Sequence, residues 1–395
     1  MTNTHTHTHT HNTELKSLIA EAHSKNLLVM ADVVVNHMGQ GMTDVPSLSP
    51  FNKTSFFHDC GCVDGDCCPK SCWVEDFHNA KQMLHCQLFG LPDLNQDLPE
   101  VAQELNKWIV WMIEEYDIDG IRLDTVPYVK STYWKDFTNA ANVFSIGEVS
   151  TPDLSEMETY VTSGAMDAVL QYPLYYSGVS SFGRMESFKA LSESIKNAKS
   201  AFQTSIDYLG LFSENHDNPR FLSIRADARA LKNFVLFILS AQGIPIVYYG
   251  VEQGYHGGLD FDANREPLWT SGFSTTKSWE NMYTFVQTIL KFRKSSAFYE
   301  FPPQELWADE TFYAFSRGKT LFVFTNQGKG AASISRTLSG FGVPWKQGTK
   351  VCNIFYPTKD CIIIEKDYSI DIVLNDGECK VYYEDESTLN NKQHE

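Results

Sequence analysis

From Thr13 onward, Leu15, Leu18, Ile19 and Ala22 recur at helical spacing, and residues 27–35 follow as a nearly continuous apolar, β-branched run. The first spacing predicts a helix and the second a buried parallel strand. This alternation repeats downstream. A helix is expected from Pro99, with Val101, Leu105, Trp108, Ile109 and Met112 on one face. Further strands are expected at 120–124, 143–148, 166–171, 209–215 and 244–249, with helices near 132–141, 185–202, 227–241 and 278–293. Past residue 303 the pattern shifts to short alternating strands, such as 320–324 and 369–374, and predicts a separate antiparallel β-domain over 304–395.

Two stretches break the alternation. Residues 1–12 are dominated by alternating Thr and His, with no apolar residues to bury beyond Met1, and read as disordered. Residues 38–92 lack periodicity and form a loop-rich insertion between barrel segments 13–37 and 93–303. Strands alternating with helices argue for a parallel α/β architecture. Six such strands are readable, where a closed barrel needs eight.

Chemistry collects where the strands end. The strand 120–124 places Ile121 and Leu123 on one face and Arg122 and Asp124 on the other. Burying that polar pair in an ordinary core is costly, whereas at a pocket mouth Arg122 keeps Asp124 ionised and aims it. A structural ion pair is the alternative for this fragment taken alone. Glu148 and Asp217 end two other strands. Single acids at strand ends are often turn formers. Two carboxylates facing across a bond are what retaining glycoside hydrolysis requires, and a third acid can stabilise the charge that develops at the sugar ring.

Composition narrows the partners. The net charge is −17, from 32 basic and 49 acidic residues, with no basic run, so nucleic acid and anionic membranes are excluded as natural partners. No apolar run reaches the roughly 18–20 residues of a membrane span. Aromatics make up 13% of the chain, which suits a sugar-stacking surface as well as an aromatic-rich core. Six of nine cysteines lie at positions 60, 62, 67, 68, 72 and 86. A zinc site with His58, His78 or His85 is conceivable, but paired C-x-x-C hooks are lacking, and a disulfide-stapled loop is the better reading. Disulfides imply an oxidising compartment, although no secretory leader is recognisable.

Five segments in order carry a resemblance: Asp32-Val33-Val34-Val35-Asn36-His37, Leu91-Pro92-Asp93-Leu94, Gly120-Ile121-Arg122-Leu123-Asp124, Gly147-Glu148-Val149 and Glu214-Asn215-His216-Asp217-Asn218. With them the chain resembles the fungal-type α-amylases of the α-amylase glycoside hydrolase family. The resemblance implies a (β/α)8 TIM-type barrel with a C-terminal β-domain, lacking about two N-terminal strands before Thr13. The chain as written is therefore expected to fold or turn over poorly. It further implies an extracellular or lumenal protein, monomeric when complete, that acts on α-glucan polysaccharide or oligosaccharide.

Residue roles follow by the same resemblance. Asp124 would be the nucleophile, Glu148 the acid/base and Asp217 the transition-state stabiliser. Arg122, His37, His216 and Arg265 would contact or order the site, with Asp260 or Asp262 supplying the acid before Asn264 and Arg265. Asn36, Asp93 and the Tyr128 carbonyl would hold a structural Ca2+. Relatives have Lys-His where Pro127 and Tyr128 stand, which bears on leaving-group contacts and chain-length preference; the Tyr128 ring could stack on sugar. The alternatives are a glucan-binding or inactive homologue and a maltooligosaccharide-acting transglycosylase.

Overall fold

The computed structural model describes residues 6–39, 48–63, 66–258, 260, 263–273, 275, 279–340, 342–366 and 368–384. The chain divides into two compact units, residues 1–170 and 171–395.

The first unit is built on a four-stranded parallel sheet. Its strands are β1 (Met30–Val33), β4 (Gly120–Leu123), β5 (Phe144–Gly147) and β6 (Ala168–Val169), in the order β1-β4-β5-β6. A short hairpin of β2 (Cys62–Val63) and β3 (Asp66–Cys67) belongs to the insertion between β1 and β4. The helix Pro99–Tyr116 packs Val101, Leu105 and Ile109 inward, as its periodicity requires. Proline opens it, where a missing N–H costs nothing, and Asp117 at φ 57° ends it.

Two expectations are corrected in this unit. The first helix runs Thr6–Ser24, so it begins inside the Thr-His tract taken as disordered. Once residues 13–24 nucleate a helix, adding turns at its start is inexpensive even for mediocre helix formers. The buried strand expected over 27–35 is only four residues long and half-exposed: Leu27 and Leu28 are 58% and 81% exposed, and Met30 is 45%. β1 is the edge of its sheet, and an edge strand has a neighbour on one side only.

A histidine ties the first helix to the sheet. His23 Nε2 lies 2.9 Å from Asp119 Oδ2, and that oxygen accepts from Val29 N at 2.7 Å. The hydrogen bond to Asp119 raises the His23 pKa, while Val29 N–H and His23 lower that of Asp119. The raised histidine stabilises fully below its unfolded pKa and loses this as pH climbs through its folded value. The lowered aspartate stabilises above its unfolded pKa and loses this as pH falls. The pair is therefore strongest between about pH 4 and 6.5. His23→Gln is expected to lower Tm more in that window than at a pH well above the folded histidine's titration. Equal Tm losses under both conditions would overturn this assignment.

In the insertion, Cys60 is bonded to Cys72 and Cys68 to Cys86, so the loop is disulfide-stapled as its composition suggested. Its ends are joined by backbone pairing of His37 with Asp93, and Phe57 within it pairs with Leu94.

The second unit holds β7 (Gly210–Phe212) paired in parallel with β8 (Ile244–Ile246). The six parallel strands read from the sequence are thus all present, each shorter than expected. The helix Ala228–Ser240 is capped by Asp227, whose carboxylate accepts from Arg229 N and Ala230 N. Eight antiparallel strands follow: β9 (Pro303–Ala308), β10 (Phe312–Arg317), β11 (Thr320–Thr325), β12 (Ile334–Leu338), β13 (Lys350–Asn353), β14 (Cys361–Ile363), β15 (Ile370–Leu374) and β16 (Lys380–Glu384). Six of them form one sheet, while β12 pairs with β15. Phe312, Leu321, Val323, Leu338, Trp345, Ile370 and Tyr382 fill the core between them. A disulfide that the sequence reading did not anticipate, Cys352–Cys361, links β13 to β14.

Candidate active site

β4 and β5 pair with Leu123 opposite Gly147, so Asp124 and Glu148 leave neighbouring strand ends at one level. The ladder continues past the strands: Glu148 N donates to Leu123 O at 2.8 Å, and Asp124 N to Val33 O at 3.0 Å. Ile121 and Leu123 are fully buried on one face, which turns Arg122 to the other. There its guanidinium gathers three carboxylates. Nη1 donates to Asp32 Oδ1 at 2.8 Å and to Asp124 Oδ1 at 2.5 Å, and Nη2 lies 2.9 Å from Glu148 Oε2. Burial pulls the Arg122 pKa down, but Glu148, Asp32 and Asp124 outweigh it and raise it. Asp32 was not foreseen as a partner.

The chain turns sharply after Asp124. Thr125 adopts φ 51°, costly for a β-branched residue, and its N–H donates to Glu148 Oε2 at 3.2 Å. Glycine is required before Glu148: a Cβ on Gly147 would come within 2.2 Å of Met166 Sδ. The turn and the glycine together bring the Glu148 carboxylate back over the end of β4.

A second cluster sits where the insertion rejoins the sheet. Asn36 and Asp93 are 1% and 2% exposed. Asp93 Oδ2 lies 2.6 Å from His58 Nδ1. Burial raises the Asp93 pKa to about 6, with His58 opposing. One arm of the Asn36 amide lies 3.2 Å from His37 Nδ1, and the other lies 3.1 Å from both Asp93 Oδ1 and the Tyr128 carbonyl. With nitrogen on that second arm, the amide donates to both oxygens. With oxygen there, three oxygens crowd one point, an arrangement suited to a hard cation. These would be three of the roughly six to eight oxygens that a Ca2+ takes. Burial lowers the His37 pKa, with the charge of Asp124 opposing.

The second unit carries the remaining candidates. After β7, Asn215 Oδ1 accepts from Asp217 N at 3.1 Å and Asn218 N at 2.9 Å, folding residues 215–218 into a tight turn. Asp217 then sits between two side chains: Arg265 Nη2 lies 3.1 Å from Oδ1 and His216 Nε2 lies 3.2 Å from Oδ2. Asn264 clamps the turn, its amide donating to His216 O at 3.0 Å and Asn218 O at 2.7 Å. Asp260 is exposed and its carbonyl accepts from Ala263 N, whereas Asp262 lies outside the described residues. The candidate acids are thus divided, Asp124 and Glu148 in the first unit and Asp217 in the second.

The family model for the alpha amylase catalytic domain matches residues 5–301. The chain belongs to the alpha-amylase family. Alpha-amylase 1 of Lipomyces kononenkoae is 35% identical over 295 residues, which cover 72% of this chain and 44% of that protein. Alpha-amylase 2 of Schwanniomyces occidentalis is 31% identical over 386 residues, covering 93% of this chain and 72% of the relative. Among solved structures, an alpha-amylase from Malbranchea cinnamomea is similar with a TM-score of 0.84 and 29% identity, over 94% of this chain and 77% of the other. The alpha-amylase fold, a TIM-type barrel followed by an antiparallel domain, therefore accounts for both the parallel strands and β9–β16.

Within this family frame, the sequence reading overlooked Asp32 and Arg220. Asp32 opens the segment Asp32-Val33-Val34-Val35-Asn36-His37, and its alternation with Val33 could have placed it beside Arg122 in the parallel register. Arg220 follows Asp217 by three residues without any periodic signal. It is fully buried against Glu214 and Glu266.

Proposed function

We propose that the chain is a retaining glycoside hydrolase that cleaves internal α-1,4-glucosidic bonds of starch or glycogen. The observation that supports this most directly is the single Arg122 guanidinium joining the carboxylates of Asp124 and Glu148 at adjacent strand ends. In this reading Asp124 attacks the anomeric carbon as Glu148 gives its proton to the departing glycosidic oxygen. Glu148 must turn away from Arg122 Nη2 to do so. Water then attacks the same carbon, its proton passes to Glu148 and its hydroxyl to the sugar, and Asp124 is released. Two inversions give net retention. Arg122 holds the Asp124 carboxylate in direction for that attack. Asp217, aimed by Arg265 and His216, stabilises the positive charge on the sugar ring.

Asn36, Asp93 and the Tyr128 carbonyl would hold a structural calcium ion, supplying positive charge that joins the start of the insertion to its end. The disulfides favour secretion into an oxidising compartment. No helix among the described residues is long and apolar enough to cross a membrane.

The test is to incubate the protein with amylose and follow the products by proton NMR before mutarotation. Maltooligosaccharides of several lengths, first released as α-anomers, are expected. Initial β-anomers, or no cleavage at all, would overturn the reading.

A further inference from the structure

Through Glu214 and Glu266, Arg220 is tied to both of the segments that carry Asp217 and Arg265. It is fully buried, with 0% of its side chain exposed. Nη1 donates to Glu214 Oε2 at 3.2 Å and to Tyr249 O at 2.8 Å, and Nε donates to Glu266 Oε2 at 2.6 Å. The rings of Tyr248, Tyr249 and Tyr255 surround it, with centroids 4.5 to 5.2 Å from Cζ. Glu214 directly precedes the 215–218 turn, and Glu266 directly follows Arg265. Glu266 also receives Gly257 N at 2.7 Å, while Gly257 O accepts from Arg220 N at 3.1 Å.

A buried ion network of this kind is poor evidence for stability alone, since desolvating an arginine and a fully buried glutamate costs about what their attraction returns. Its distinctive property is geometric. A planar guanidinium fixes two carboxylates at set directions, which a lysine ammonium does not. Burial raises the Glu214 pKa to about 7, with Arg220 and the Phe221 N–H opposing it.

We propose that Arg220 is a positioning residue that sets the Asp217–Arg265 pair by locking together the two segments that carry it. The inference rests on the function proposed above. One segment is anchored through Glu214 and the other through Glu266. The outer ends of both then meet in the Asn264 and Arg265 bonds to His216, Asp217 and Asn218. Loss of the inner lock lets the outer pair drift, and a displacement of about 1 Å in a substrate-positioning group lowers a rate some hundredfold.

The test is a double-mutant cycle in the full chain. Arg220→Lys is expected to lower kcat on amylose by about 10- to 100-fold with KM changed less than about threefold. In an Arg265→Ala background, where the outer pair is already lost, the same substitution should cost less than about twofold. If Arg220→Lys does not fold, Glu266→Gln takes its place in the cycle, because it cuts the same lock while keeping the shape of the side chain. Equal losses in both backgrounds, or losses that only track a fall in Tm, would overturn the proposal.

A second readout is independent of turnover. The His216 ring Cε1–H chemical shift at fixed pH, assigned with His216→Gln, should move in the folded Arg220→Lys or Glu266→Gln variant although neither residue touches His216. An unmoved resonance would overturn the proposal even in a chain that cleaves no glucan. An inactive parent whose resonance does move would instead count against the hydrolase reading alone.

Discussion

Asp124→Asn and Glu148→Gln are each expected to reduce amylose hydrolysis by about a thousandfold or more while leaving Tm nearly unchanged. Both substitutions keep the side chain's shape and remove its charge. An amide at position 124 has no electron pair basic enough to form the glycosyl ester. An amide at 148 has no proton acidic enough to help the leaving oxygen depart. The fold should tolerate either change because Arg122 has three carboxylate partners and keeps two of them in each variant. The competing view, a structural ion cluster at a sheet rim, expects the reverse: a lower Tm and a modest effect on rate. Thermal melts and initial rates on the same samples separate the two. A variant that retained more than about a tenth of the parental rate would lose its assigned role.

Arg122→Ala differs in kind from both, since it leaves Asp32, Asp124 and Glu148 facing one another with no cation among them. Removing one partner of a buried charge cluster is more damaging than replacing the cluster. Its failure would therefore say little about chemistry, which is why the neutral isosteres carry the argument.

The strand alternation was legible because parallel strands that are covered by helices must be apolar, and each of the six lies within the segment expected for it. Their lengths were overstated because apolar residues continue past the last ladder bond. The run from Val247 to Tyr249 looks like β8 in sequence but lies outside its ladder. Asp124 and Glu148 could be paired from sequence since parallel register brings equivalent strand ends level. The oxygen cluster of Asn36, Asp93 and Tyr128 was reached only through the family resemblance, because backbone pairing across a long insertion brings residues 37 and 93 together and no local pattern encodes it. Arg220 was invisible for a related reason. Its burial depends on two glutamates, one six residues before it and the other 46 residues after. The helical start at Thr6 was missed because composition argues about what a segment can bury, whereas helix extension depends on what it is attached to.

Calcium removal is expected to give the second large effect. Asp93 is almost fully buried with a single histidine partner on one oxygen, and its other oxygen faces the Asn36 amide and, beyond it, the Tyr128 carbonyl. At neutral pH this is an anion short of compensation, as its raised pKa of about 6 expresses. A divalent cation would supply that compensation, and the Asn36 amide would turn its oxygen inward to join the other two. A ligand bound only by the folded state stabilises it by about 2.7 kcal/mol when present at a hundred times its Kd. In a chain of this size that corresponds to a few degrees in Tm. Chelation should therefore lower Tm by that amount and make the segment between His37 and Asp93 more susceptible to proteolysis. Asn36→Ala should melt at a temperature indifferent to calcium or chelator, since it removes one oxygen ligand and leaves Asp93 paired with His58. Asp93→Asn should behave likewise, and should recover part of the stability of the chelated parent by discarding the uncompensated charge. A calcium-dependent Tm that survives in both variants would place the ion elsewhere, and a parent indifferent to chelator would remove calcium from this cluster.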